Sequence, residues 1–361
     1  MSPQDFRFSC NAAGFRDPAP TPRFLSVWDI SSKELVGSAL PGVEALPPET
    51  ARRLSWKSQA ILEFQDLQPV LVPPEGGPFI KVHLPFFEGL AALRSSALAV
   101  LNHNVRASLP VLRTALELCL FHQWWQSRAQ DDGYHKSFYA WLNAEKGAPG
   151  MGQIRKDLFA STSFPQCAVS EDEVRSLYQK LCVHTHIPQY RNSLTVLAGS
   201  NIPGPNAAQL TYWVDLFLHA LDVILDVLIA RSPQCLFPID VQRKFGFSPP
   251  VGMYFDHSNF IALREAFGVE KVDSYRNHFA NSLPEVLSFA TARADLSDAE
   301  VLATWTGEDL DDGHLDFETR LFHRATQSKA HMRALLIGMT FSDRDAYVDP
   351  VVHQNSLTSR W

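Results

Sequence analysis

Four ionisable residues recur along one face of the apolar segment Leu210 to Ala230. They advance by four, three and four positions, which places them on one helical stripe: Asp215, His219, Asp222 and Asp226. Such a stripe could hold a divalent cation or supply a general base. Metal sites in helical bundles, however, draw Glu-x-x-His ligands from paired helices, and this stripe offers Asp on one helix. We therefore predict a binding stripe and no metal site.

A second ionisable stripe lies in "VLRTALELCLFHQWW", Val111 to Trp125. Arg113 and Glu117 are four residues apart and Arg106 is seven before Arg113, so all three can share one helix face. The stripe either faces solvent as a thin polar band or lines a groove between helices. A buried ion pair seldom adds net stability, because desolvation offsets the attraction. Burial of this pair would therefore indicate a role in specificity or binding.

The two stripes carry opposite charges on helices that are otherwise apolar. Apolar surroundings imply that both stripes are enclosed, and unpaired buried charge is costly. We therefore predict that the stripes face each other, with Arg106 and Arg113 opposite Asp215 and Asp222. Glu117 and His219 would extend the same network.

Two histidines follow the helical pattern "SEDEVRSLYQKLC", at His184 and His186. From a strand or a helix end they could chelate a metal, but no Cys or acid completes a ligand set at a recognised spacing. A helix C-terminus also favours histidine, through the helix dipole. The spacing is compatible with either interpretation.

The order "LRTALEL", "FYAWLN", "LYQKLCVHTH" resembles a pattern of uncharacterised bacterial helical proteins at the edge of the HEPN-like superfamily. The resemblance covers about residues 85–230 and rests individually on Arg113, Glu117, Tyr178 and His184. It implies a helical bundle. Because many HEPN-like proteins are ribonucleases of toxin–antitoxin and antiphage systems, it also implies a metal-independent ribonuclease or defence effector as a possible function.

The HEPN ribonuclease motif pairs an Arg with a His a short distance along the chain. The Arg stabilises charge on the phosphoryl oxygens and the His moves the proton. Arg324 and His331 have six residues between them, as do Arg128 and His135, and Ala follows the Arg in each, where the family usually has a polar residue. Arg324 and His331 share one helical pattern, so they are the predicted catalytic pair. RNA cleavage that survives His331→Ala would reject the assignment.

Composition restricts the function classes. The 361 residues are 45% hydrophobic and 20% charged, which is typical of a folded soluble protein. A net charge of −7 does not favour a broad basic surface for nucleic acid. Five cysteines are scattered without a C-x-x-C pair, which predicts reduced thiols and a cytoplasmic protein.

Membrane insertion is disfavoured by the sequence. The N-terminus has no basic region followed by an apolar run, so no secretory signal is predicted. The segment Leu210 to Ala230 is long enough to span a bilayer, but its three aspartates would be expensive there. We predict that it is a buried helix, with no membrane partner.

The patterns predict a mainly α fold in three parts. Residues 1–82 form a loop-rich lobe with short strands at "RFLSVWDI" and "PFIKVHL"; residues 83–231 form a central helical bundle; residues 232–361 form a C-terminal helical region. Capping boxes begin helices at Ser170 and Ser297. Pro110 either kinks its helix or starts a new one capped by Ser108.

The leading functional prediction is a cytoplasmic helical protein that acts by binding or assembly, with a protein partner or as a homo-oligomer. The sequence has no P-loop, dinucleotide fingerprint, nucleophile elbow or H-E-x-x-H motif, so no cofactor and no catalytic motif is predicted. The alternative is the HEPN-like ribonuclease, with RNA as its partner. That alternative requires Arg and His to converge on an open, locally positive cleft.

Overall fold

The computed structural model describes residues 23–31, 46–67, 79–102, 104–128, 134–161, 164–184, 207–245, 255–281, 285–297 and 300. Within these ranges the regular structure is helical and no strand occurs, which confirms the mainly α prediction. The α-helices there are α1 (Phe24–Val27), α2 (Pro48–Leu67), α3 (Phe79–Leu101), α4 (Val105–Gln126), α5 (Tyr134–Leu142), α6 (Met151–Ser161), α7 (Glu171–Val183), α8 (Ala207–Arg231), α9 (Val241–Phe245), α10 (His257–Phe267), α11 (Val269–Phe279) and α12 (Glu285–Ala292).

The two strand predictions are wrong. The segment "RFLSVWDI" contains the single helical turn α1, and "PFIKVHL" forms the first turns of α3. In α3 the buried positions His83, Phe86, Leu90, Leu93 and Ala97 follow a helical repeat. The alternation that suggested a strand is short, and a longer helical pattern follows it. The segment forms a helix because the helical pattern buries one face against α4.

Helix α4 continues through Pro110, so the helix does not restart there. It begins at Val105, and the side chain of Asn104 caps it by accepting a hydrogen bond from the backbone N–H of Ala107 at 3.0 Å. Ser108 is buried and donates to the carbonyl of Val105, so it does not act as the predicted cap. The predicted capping boxes at Ser170 and Ser297 are both formed.

One hydrophobic cluster runs from Phe24 to Phe279 and contains residues from all three predicted parts. Helix α8 lies at its centre and packs against α2 and α4, while α10 packs against α2. Most of α8 is buried, which confirms that Leu210 to Ala230 is a core helix. The predicted boundaries near residues 82 and 231 stay predictions.

The segment His83–Leu101 of α3 is the helix of the described chain that is long and apolar enough to cross a membrane, by length and composition only. Half of its most apolar window is buried inside the protein.

Helices α3 and α4 are in tight contact at Gly89. A Cβ atom placed on Gly89 would lie 2.6 Å from Sγ of Cys119 and 3.4 Å from the carbonyl oxygen of Ala115. The thiol of Cys119 is buried, so it has little room to move aside. Glycine is therefore required at position 89 by the neighbouring helix and not by its own backbone angles.

We expect Gly89→Ala to lower the free energy of unfolding by about 1–3 kcal/mol, because the added methyl group overpacks this contact. In a Cys119→Ala background the same substitution should be neutral or stabilise by up to about 1 kcal/mol, since alanine favours a helix over glycine. Urea unfolding of the wild type, the two single variants and the double variant measures these changes in the free energy of unfolding. If Gly89→Ala lowers the free energy of unfolding equally with Cys119 and with alanine at position 119, the sulfur is not what the added methyl group overpacks.

Candidate functional site

An open pocket of about 350 Å³ lies where α2, α7, α8, α10 and α11 meet. Ionisable side chains dominate its wall, together with a phenylalanine ring and the chain just before α7. The pocket is lined by Lys57, Cys167, Ala168, Val169, Glu173, His219, Asp222, Phe267 and Lys271.

Lys57 of α2 forms an ion pair with Asp222 of α8 on this wall. The Lys57 side chain is 6% exposed and that of Asp222 is 23% exposed. Burial lowers the pKa of Lys57, and the attraction of Asp222 opposes that shift. The aspartate thus compensates an ammonium group that helix packing has largely removed from water.

Lys271 of α11 pairs with Asp226, one turn further along α8. Its Nζ lies 3.0 Å from Oδ1 of Asp226, whose side chain is fully buried. The backbone N–H of Val169 donates to Oδ2 of Asp226 at 2.8 Å. Burial raises the pKa of Asp226, and Lys271 opposes the shift. The hydroxyl of Tyr275 is buried beside this carboxyl, which raises the pKa of Tyr275 further than burial alone.

Phe267 brings the two ion pairs together. Nζ of Lys57 lies 5.3 Å from the centroid of its ring and Nζ of Lys271 lies 4.5 Å from it. Ammonium groups at such distances interact favourably with the ring quadrupole. Two lysines from different helices thus converge on one aromatic ring in the pocket wall.

Glu173 and His219 complete the polar wall. Oε2 of Glu173 accepts hydrogen bonds from the backbone N–H of Ser170 at 2.7 Å and from its hydroxyl at 2.8 Å, and these bonds lower the pKa of Glu173. Burial lowers the pKa of His219, and the nearby Asp222 and Glu173 oppose the shift. Burial in this pocket therefore favours the neutral form of His219.

The prediction that the two charged stripes pair with each other is wrong. Asp222 and Asp226 pair with lysines of α2 and α11, and among the described residues Arg113 has no ion pair with an acid of α8. The expected enclosure also fails at one end of each stripe, because Arg106 and Asp215 are exposed. The cations that pair with Asp222 and Asp226 therefore lie on α2 and α11 and not on α4.

Arg113 forms a closed cluster with Glu117 and Tyr178 instead. Its Nε and Nη2 donate to Oε1 of Glu117 at 3.0 and 2.9 Å, and Nη2 also donates to the Tyr178 hydroxyl at 3.0 Å. The hydroxyl in turn donates to the same Oε1 at 2.7 Å. Burial raises the pKa of Tyr178, and the Glu117 carboxylate adds to the shift. The Arg113–Glu117 pair of the apolar helix α4 therefore binds α7 through the Tyr178 hydroxyl.

Three of the four residues on which the HEPN-like resemblance rests thus come together. The fourth, His184, follows α7 and shares a hydrogen bond of 3.0 Å with the hydroxyl of Tyr212 on α8. His186 lies outside the described residues, so chelation by His184 and His186 stays a prediction. In the part of the chain that the structure describes, no group of three His, Cys, Asp or Glu residues could hold a metal ion.

We expect Arg113→Leu to lower the free energy of unfolding by about 1 kcal/mol, because the cluster is half-buried and exposed ion pairs contribute little. The side chains of Arg113 and Glu117 remain 21% and 32% exposed. Chemical denaturation measures the change. A loss near that of a fully buried pair, about 3–5 kcal/mol, would contradict this estimate.

A buried histidine pair joins α3 to α4, and the sequence patterns did not single it out. Nδ1 of His83 lies 3.0 Å from Nε2 of His122, and Nδ1 of His122 lies 2.8 Å from Nε2 of Gln123. The His122 ring also stacks on Phe86, with centroids 5.3 Å apart. Burial, and secondarily His83, hold the pKa of His122 well below its usual value. One sequence feature could have indicated this pair: each of two adjacent helices carries a histidine on its apolar face.

Comparison of the chain with family models, curated proteins and solved structures finds no match. The HEPN-like resemblance therefore rests on the residues alone. The predicted catalytic pair, Arg324 and His331, lies outside the described residues. The ribonuclease alternative stays a prediction.

Proposed function

We propose that this protein acts by binding a small polar molecule in the pocket around Phe267, with no chemistry of its own on the bound molecule. The observation that carries the proposal is the convergence of Lys57 and Lys271 on one aromatic ring in the wall of the cavity. Small-molecule sites typically combine aromatic surface with a few fixed polar groups, and their volumes begin near ~300 Å³.

The arrangement favours recognition because the charged groups are already held in place. Asp222 fixes Lys57, and Asp226 fixes Lys271 while also accepting from the backbone of Val169. Side chains held by such partners lose little conformational freedom when a ligand binds. Each ammonium still has hydrogen-bond donors beyond those its aspartate uses, since a lysine has three.

The wider prediction of a protein partner or a homo-oligomer in the cytoplasm stays a prediction. Cys119, Cys167, Cys182 and Cys235 are free thiols in the described part of the chain, as expected in a reducing compartment.

The test is thermal-shift screening of the purified chain against a library of small polar metabolites, followed by the double variant Lys57→Met/Asp222→Leu. Replacing both partners of a buried pair with apolar residues of similar size leaves no unpaired charge, so the fold should survive. Binding should be lost in this variant.

The matched control is Arg52→Met/Glu265→Leu, which removes an ion pair of 3.0 Å between α2 and α10, at side chains that are 44% and 30% exposed. This control should bind like wild type. The proposal is overturned if no metabolite stabilises the wild-type chain, or if the Lys57/Asp222 variant binds as tightly as the control.

A further inference from the structure

The charges of the residues that line the pocket balance. Two ammonium groups, on Lys57 and Lys271, stand against two carboxylates, on Asp222 and Glu173. Because the electrostatic cost of an added charge depends on this balance, it restricts the ligands that the pocket accepts.

A ligand with a net charge of either sign fits this balance poorly. An anion bound by the lysines would be repelled by the neighbouring carboxylates of Asp222 and Glu173. A cation would compete with ammonium groups that already occupy the ring of Phe267. A neutral molecule that carries both charges can satisfy the donors and the acceptors without leaving either in excess.

The donors and acceptors are also arranged for two separate contacts. The lysines converge at Phe267, whereas Glu173 stands on the first turn of α7. The hydrogen bonds of Glu173 with Ser170 go to Oε2, which leaves Oε1 for a ligand. Ala168 and Val169 add apolar surface to the wall.

We propose that the ligand is a small zwitterion of amino-acid size, its carboxylate bound by Lys57 and Lys271 and its ammonium group by Glu173 and Asp222. The inference rests on the proposed function, because it names the ligand class for the same pocket. The cavity of about 350 Å³ accommodates a free amino acid with its side chain against Phe267.

Calorimetric titration tests the ligand class directly. The probes are the protein amino acids, each paired with the carboxylic acid that lacks its amino group and with the amine that lacks its carboxylate. At least one amino acid should bind. Each of its two analogues should bind at least about tenfold more weakly, because each loses a charge-assisted contact.

Glu173→Gln separates the ammonium contact from folding. Glutamine also serves at this capping-box position, so α7 keeps its N-terminal cap while the charge is removed. We expect about tenfold weaker binding of the amino acid, whereas the carboxylic acid analogue should bind equally or more tightly, because a carboxylate that repels it has been removed. The control is Glu171→Gln, which lies in the same helical turn but pairs with Arg155 at 3.0 Å and does not line the pocket.

The outcomes distinguish the two proposals. If an analogue that lacks one charge binds as tightly as the amino acid, or if Glu173→Gln binds like Glu171→Gln, the zwitterion inference is wrong. If the pocket binds a metabolite with one net charge, and Lys57→Met/Asp222→Leu abolishes that binding, the inference is wrong while the proposed function stands. If no small polar molecule binds, both proposals fail.

Discussion

Replacing Lys271 with methionine should lower the free energy of unfolding by about 3–5 kcal/mol, the cost of removing one partner of a buried ion pair. The side chain of Asp226 is fully buried, and without Lys271 its neighbours are the backbone N–H of Val169 and the Tyr275 hydroxyl, neither of which carries a compensating charge. Methionine keeps the length of the side chain, so the loss reports the charge rather than a cavity. Denaturant unfolding at neutral pH measures it.

Two comparisons identify the cause of this loss. Lys271→Met/Asp226→Leu should recover most of the lost stability, because it leaves no unpaired charge. Arg52→Met, at the exposed pair with Glu265, should cost less than about 1 kcal/mol. A double variant as unstable as Lys271→Met alone would show that packing, and not charge, causes the loss.

The deficit of Lys271→Met should also depend on pH. Burial already raises the pKa of Asp226, and removal of Lys271 takes away the attraction that opposes this rise. An acid with a raised pKa in the folded state binds its proton more tightly there than in the unfolded chain. The variant should therefore regain stability relative to wild type as the pH falls. A deficit that stays constant with pH would contradict this assignment.

Acidification of the wild-type chain should weaken it by about 1.4 kcal/mol per pH unit below roughly pH 6.5, through the histidine pair. The pKa of His122 is held well below its usual value by burial and by His83, so the folded state resists the proton that the unfolded state accepts. Stability from this residue is thus fully present above the unfolded pKa and falls as the pH drops towards the folded pKa.

The contribution of His122 can be separated from that of the carboxylates. His122→Gln keeps a polar side chain beside His83 but does not titrate, so its stability should fall less steeply between neutral pH and mild acid. His278 is exposed in the folded chain, and His278→Gln should keep the wild-type slope. Equal slopes for His122→Gln and wild type would remove this histidine as the cause.

Spacing in the sequence placed Asp222 and Asp226 on one stripe of α8, but it did not predict their partners. Asp222 and Asp226 lie on the predicted stripe, and both are in or beside the pocket. No sequence pattern marks Lys57 as a buried cation. Lys271 lies in α11, which the patterns did not predict. Partners from helices far apart in sequence depend on tertiary packing, which local periodicity does not contain.

The start of α11 illustrates the same limit. Gly268 ends α10 with φ of 80° and precedes α11 directly, so two helices are joined by one residue. Glycine adopts this positive φ without strain, so it can end α10 at this position. The helix that follows is mostly polar, with Val272, Tyr275 and Phe279 buried, and it packs against α10. Its narrow apolar face is too weak a signal without the neighbouring helices in place.

Because of the tight contact at Gly89, the alkylation rate of Cys119 can report how often α3 and α4 separate. The thiol of Cys119 is sealed in that contact, and burial raises its pKa to about 12, so an alkylating reagent meets neither an accessible sulfur nor a thiolate. Cys167 is exposed in the folded chain and reacts without any opening. The ratio of the two alkylation rates, followed by mass spectrometry, therefore measures how often α3 and α4 separate under native conditions.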